Sequence, residues 1–215
     1  MKRSYFLIGG LLVAAVLAAT LISFPWLPSR VPTHWNVRGE VDGYSPRWTL
    51  FIFGPGIMAF MLGLFRLLPW LSPKRFEVDT FRSTYFYIML VILAFFAYMQ
   101  ALLLWAGLQG PWNITQAIWG AICLLWVLLG NVMGKVRRNF YIGVRTPWTL
   151  ASERVWDATH RFAAKTFVLG GLAGWVLAWA GAGFWLPFAA LMAGALIPVV
   201  HSLVYYKRLE RRGEI

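Results

Sequence analysis

The residues able to do chemistry fall in two polar stretches of an otherwise apolar chain. The first, Trp26–Arg47, reads WLPSRVPTHWNVRGEVDGYSPR and offers His34, Asn36, Glu40 and Asp42 as hydrogen-bonding or metal-binding groups. Their spacing fits no helix face and no ligand pattern, and a turn-rich cap whose Asn and Asp bond their own backbone accounts for them equally. The second, Gly130–Lys165, holds basic residues with interleaved aromatics, then a helical segment. Ser152 reads as its N-cap, with Glu153 in the first turn where the helix dipole favours an acid. At about 100° per residue, Val155, Trp156, Thr159, Phe162 and Ala163 share one face. Glu153, Asp157 and His160 cluster on another and are the candidates for a metal or acid–base site. Ion pairs explain the same residues: Asp157 and Arg161 are an i,i+4 pair, and Arg145 can answer Glu153. There is no H-E-x-x-H, no nucleophile elbow and no phosphate-binding glycine loop, so no cofactor is expected.

The elements that carry these stretches follow from composition. Of 215 residues 60% are hydrophobic and 13% charged, with a mean hydropathy of +0.63. A soluble domain carries nearer 25% charge, so a soluble enzyme, a disordered tail and a disulfide scaffold are excluded. The lone Cys123 lies in an apolar run. The net charge of +12 fits basic loops facing anionic lipid headgroups rather than direct nucleic-acid binding.

Uncharged stretches give six spans, over residues 5–24, 48–65, 85–108 and 114–133, then two within 166–206 that part near Gly181–Pro187. The long run between 83 and 134 breaks at Gln109-Gly110-Pro111-Trp112-Asn113. Only helices are expected, because hydrocarbon offers the backbone no other partner. Trp26, Trp48, Trp70, Trp112, Trp148 and Trp185 mark span ends as interfacial aromatics do, and Gly170, Gly171, Gly174 and Gly181 would let helices pack closely. Three of the 20 Lys and Arg residues (Arg30, Arg38, Arg47) fall on one side of the membrane and the other 17 on the opposite side. The positive-inside rule then puts both termini in the cytoplasm. The expected architecture is all-α and polytopic in the cytoplasmic membrane, with a short interfacial amphipathic helix before the fifth span. Residues 1–110 would form a three-helix module with the extracytoplasmic loop 25–47. Residues 111–215 would form a second, with the cytoplasmic loop 130–165. Met-Lys-Arg before an apolar run can also be read as a cleavable signal peptide, which would leave five spans with the same loops outside and inside.

The sequence GN-x-MGK-x-R-x-NF-x-IGVRTPWTL-x-SE-x-VW-x-x-THR, from Gly130 to Arg161, resembles the signature of the SdpI-type membrane proteins. The first loop, LP-x-x-VPTHWN-x-x-GEVDGY-x-x-R, resembles a module that precedes this signature in longer members. The resemblance implies immunity to a secreted, membrane-active peptide toxin, the sporulation-delay peptide, met on the outer side, and recruitment of a cytoplasmic ArsR-like repressor to the membrane. It marks Asn131, Gly134, Lys135, Arg137, Asn139, Gly143, Arg145, Thr146, Pro147, Trp148, Glu153, Trp156, His160 and Arg161 in the inner loop. In the outer loop it marks His34, Trp35, Asn36, Gly39, Asp42 and Gly43. Two rival readings remain at this point: a small transporter or lipid-handling protein, and a membrane-embedded enzyme using Glu153, Asp157 and His160.

Overall fold

A computed structural model describes residues 2–73, 78–110 and 114–215. Lys74 and Arg75 of the second loop, and Pro111, Trp112 and Asn113 of the turn between the third and fourth spans, lie outside the described residues. Among the described residues, six helices are long and apolar enough to cross a membrane. The first span is helical over Lys2–Ser23, the second covers Thr49–Leu71, and the third is α-helical over Arg82–Gln109 after a 3-10 turn at Val78–Phe81. The fourth is Thr115–Met133, the fifth Glu153–Trp179 and the sixth Trp185–Arg211. Arg66 does not end the second span, which runs on through Pro69 to Leu71. Successive spans alternate in direction. The loop 24–48 therefore shares one end of the bundle with Gly110, Ile114 and the 180–184 connection, and the start of the first span and the end of the sixth share the other end with the loop 134–152.

The expected all-α architecture needs one correction. The first loop folds as an antiparallel hairpin of β1, Arg30–Trp35, and β2, Val41–Pro46. Pro28 and Pro32 hold its entry extended. Asn36 makes the turn: its Oδ1 accepts from the backbone N–H of Arg38 at 2.8 Å and of Glu40 at 3.1 Å, and Gly39 sits at φ +79°, a region open to glycine at no steric cost. Thr33 and Ser45 share a hydroxyl bond across the strands at 2.8 Å. Leu27, Val31, Leu50 and Leu104 form one buried cluster that pins the hairpin to the third span. Gly107 makes room for it, since a side chain there would begin 2.7 Å from Leu27.

A second correction concerns the short amphipathic helix before the fifth span. It is not a separate element; it is the start of that span, which is one helix from Glu153 to Trp179. Ser152 caps it by accepting from the Val155 N–H at 3.4 Å. Its buried stripe runs unbroken through Val155, Thr159, Ala163, Gly170, Gly174 and Ala178, so nothing in the packing face calls for a break. A different short helix, Pro147–Ala151, precedes the cap.

The fourth, fifth and sixth spans pack backbone to backbone through small residues, the usual way helices associate where lipid removes the hydrophobic drive. A side chain on Gly171 would meet the Cys123 carbonyl at 2.8 Å, one on Gly170 the Ala190 carbonyl at 2.8 Å, and one on Gly194 the Thr166 carbonyl at 2.8 Å. Thr166 Oγ1 also donates to the Gly194 carbonyl at 2.9 Å. Gly181 takes no part in this packing; it lies past the end of the fifth span at φ +72° with open space around it, a helix-terminating position.

The first three spans are tied by a buried amide. The second span opens into a π turn at Ile52–Gly56 around Pro55, whose missing N–H breaks the helical ladder. Gln100 Nε2, from the third span, donates to the Leu50 carbonyl at 3.1 Å and to Thr20 Oγ1 at 3.0 Å. Thr20 spends its own hydrogen on the Val16 carbonyl, so one side chain joins three spans. Gln100→Leu is expected to keep the fold and lower its stability by about 1 kcal/mol, the usual worth of an interhelical hydrogen bond in a membrane; unfolding of the purified protein in detergent measures this.

Candidate functional site

The loop between the fourth and fifth spans is built around buried polar groups, each satisfied within the loop. Asn139, fully buried, is the centre of its first half. Its Nδ2 donates to the carbonyls of Arg137 at 2.8 Å and Ile142 at 3.0 Å. Its Oδ1 accepts from the N–H of Tyr141 at 2.7 Å and of Ile142 at 2.8 Å. One amide thus stands in for the ladder that a strand or helix would supply. Gly143 follows at φ +115°, packed so closely on the His160 ring that no side chain fits there.

His160 and Trp156 fasten this loop to the fifth span. The Val144 N–H donates to His160 Nε2 at 3.0 Å. That leaves Nδ1 to donate to the Trp156 carbonyl at 2.8 Å, so both ring nitrogens are engaged. The two rings stack with centroids 4.0 Å apart, and Trp156 Nε1 donates to the Val136 carbonyl at 2.8 Å. Thr146 then caps the helix Pro147–Ala151 in a reciprocal box with Thr149. Thr146 Oγ1 also lies 3.0 Å from Ser202 Oγ of the sixth span, and Thr149 Oγ1 donates to the Val144 carbonyl at 2.8 Å.

The outer surface of this loop is cationic. Lys135, Arg137, Arg145, Arg161 and Lys165 are exposed, with Lys207, Arg208 and Arg211 of the sixth span at the same end. Arg145 donates to the Phe140 carbonyl and does not answer Glu153, which is exposed in the first turn of the fifth span. Asp157 pairs with Arg137 at 3.4 Å rather than with Arg161. Pro147 takes the first helical position, Trp148 is half-buried, Asn131 is exposed, and Gly134 lies 3.7 Å from the Arg161 backbone as judged from its absent side chain.

The proposed clustering of Glu153, Asp157 and His160 does not occur. His160 faces inward with Val155, Trp156 and Thr159, while Glu153 points to solvent and Asp157 is half-buried. Among the described residues no three His, Cys, Asp or Glu groups come close enough to hold a metal ion. No Asp, Glu, Lys or Arg is buried among them either.

At the opposite end, His34 and Asp42 face each other across the hairpin, with Nδ1 2.5 Å from Oδ1. Gly43 is required beside them, because a side chain there would begin 2.7 Å from His34 Cβ. Asn36 Nδ2 donates to Glu40 at 2.8 Å. Trp35 is half-buried under the hairpin tip. Sequence reasoning missed Thr149, Ser202, Val144 and Gln100. Of these only Thr149 carried a signal, in the spacing Thr146-x-x-Thr149 ahead of an apolar segment.

Fold and site together define a six-helix membrane protein with a pre-formed, cation-faced loop at one end and a β-hairpin at the other. The comparisons agree. Residues 135–205 match the SdpI/YfhL protein family, and residues 11–59 match a domain of unknown function, DUF1648. The immunity protein SdpI of Bacillus subtilis (strain 168) is 29% identical over 211 residues, covering 97% of this chain and 98% of that protein. No solved structure matches. The chain is thus similar to an SdpI immunity protein along nearly its whole length, with the SdpI/YfhL family match itself confined to residues 135–205.

Proposed function

We propose that this protein confers immunity to a membrane-active peptide toxin by binding it, with no chemical turnover. The observation that carries this reading is the likeness to an immunity protein along nearly the whole of both chains, which includes the hairpin as well as the inner loop. In this reading both termini and the loop 134–152 are cytoplasmic, the hairpin is extracytoplasmic, and residues 1–110 and 111–215 act as two modules. The division of basic residues, three at the hairpin end against 17 at the other, supports that orientation. The exposed cationic loop faces anionic headgroups and offers a surface for an acidic cytoplasmic partner such as a transcriptional repressor.

The rival readings gain no support. An enzyme would need converging groups, and His160 spends both ring nitrogens on the backbone. A pump or ion carrier usually needs charged groups inside its spans.

We expect Arg145→Ala and Glu153→Ala each to remove protection of toxin-challenged cells while membrane insertion stays intact. Survival counts together with a membrane-fraction immunoblot test this. Normal protection by both variants would reduce the loop to a lipid anchor.

A further inference from the structure

The third, fourth and fifth spans leave an open groove of about 580 Å³ on the membrane face of the bundle. The fourth span packs on both neighbours and forms the floor, with Leu124 and Leu128 along it. Val91 and Phe95 of the third span make one wall, and Leu172 and Trp175 of the fifth make the other. Such a groove by itself says only that lipid covers it, since lipid tails are as apolar as its walls. What stands at its loop end says more. At about 100° per residue, Arg161 and Lys165 project from the same side of the fifth span as Leu172. Asn131 projects from the same side of the fourth span as Leu124 and Leu128. All three are exposed, as is Lys135 just past the end of the fourth span. Gly134 lets the two helices bring these groups together. Arg161 Cγ lies 3.7 Å from where a side chain on Gly134 would begin, so the Arg161 stem rests on the end of the fourth span beside Lys135.

Among the described residues, Lys135, Arg161 and Lys165 meet no acid. Asp157, one turn before Arg161, is engaged by Arg137, and Glu214 by Arg154. Their depth is that of headgroups. Exposed Trp179 ends the fifth span on the far side, and at 1.5 Å per residue Lys165 and Arg161 lie about 21 and 27 Å from it. A hydrocarbon core about 30 Å thick, with the tryptophan at one boundary, brings both cations to the other. Three uncompensated cations and an amide donor at that depth take a phosphate, and the groove running away from them takes an acyl chain. A free phosphate or an acidic protein segment would leave the groove unused. A zwitterionic lipid would fill it but bring a further cation to the three already there. An anionic phospholipid matches both parts.

We propose that Lys135, Arg161 and Lys165 hold the phosphate of one anionic phospholipid whose acyl chain lies in the groove over the fourth span. This is a defined lipid site, beyond the general attraction of the basic loop for headgroups, and it stands independently of the immunity reading.

The test is native mass spectrometry of the full chain in detergent, titrated with phosphatidylglycerol or, separately, with phosphatidylcholine. The first phosphatidylglycerol is expected to bind about tenfold more tightly than phosphatidylcholine. The double variant Arg161→Gln, Lys165→Gln should weaken that first binding by about tenfold or more, as the loss of two cations near a headgroup does. The control is Lys207→Gln, Arg208→Gln, which removes the same charge from exposed positions at the same end of the sixth span and should leave the binding as it was. Leu124→Trp fills the groove from an exposed position and should weaken binding several-fold with every cation kept. All four substituted cations are exposed, so the two double variants fold alike, and a matching thermal midpoint in detergent verifies this. Equal affinity for the two lipids, or equal loss in the two double variants, would overturn the proposal by reducing the site to general charge attraction. Unchanged binding in Leu124→Trp would overturn the seat of the acyl chain.

Discussion

Replacing Gly143 with alanine is expected to unseat the loop between the fourth and fifth spans. Two effects act together. The backbone there is at φ +115°, where a residue with a side chain costs about 1–3 kcal/mol. The added carbon also falls on the His160 ring, which must move and release the Val144 N–H it accepts from. A buried N–H without a partner costs about another 1–3 kcal/mol. The same change at Gly134 is the control, because that residue, just past the end of the fourth span, has ordinary right-handed backbone with φ −67°, and a side chain there meets nothing closer than 3.7 Å. Limited trypsin digestion in nanodiscs should cut Gly143→Ala after Arg137, Arg138 and Arg145 and spare Gly134→Ala, with all six spans inserted in both. Equal resistance of the two variants would mean that the loop does not depend on the His160 contact.

The second large effect is expected at Asn139. Its amide makes four hydrogen bonds within a loop that has no regular ladder. Asn139→Ala leaves two N–H groups and two carbonyls to find other partners, at a cost of about 3 kcal/mol or more. Asn139→Asp should be no rescue, since it keeps the two accepted bonds but sets a carboxylate oxygen against the carbonyls of Arg137 and Ile142 in a fully buried site. Amide hydrogen exchange at Tyr141 and Ile142 reads the effect: faster in both variants than in the native chain. Native-like exchange in Asn139→Ala would show that the surrounding packing, not the amide, shapes the loop.

The spans were legible because hydrocarbon enforces long uncharged runs, and charge marks where those runs stop. The same rule misplaced the start of the fifth span. Glu153–Lys165 is charged on its outer side, yet its apolar stripe joins the membrane segment without a break, so charge is a poor boundary where a helix projects beyond the bilayer. The hairpin was hidden for another reason. Val41–Pro46 alternates between half-buried and exposed, but its residue types are those of turns, and prolines argue against strands. The capping role of Ser152 is local and was readable. His160 sits four residues after Trp156 and three after Asp157, so the helical wheel leaves it between two faces. The loop packed above it decides, through a contact sixteen positions away. Arg137, not Arg161, reaches Asp157 for the same reason: the loop folds back over the helix, and no spacing rule within one helix encodes that.

The central claim is tested most directly by giving the chain to bacteria that are sensitive to the sporulation-delay peptide and counting survivors after challenge. Membrane expression is confirmed in the same cells. The account predicts survival well above that of cells carrying an empty vector, lost with Gly143→Ala and retained with Gly134→Ala. Full sensitivity at good membrane expression would contradict it.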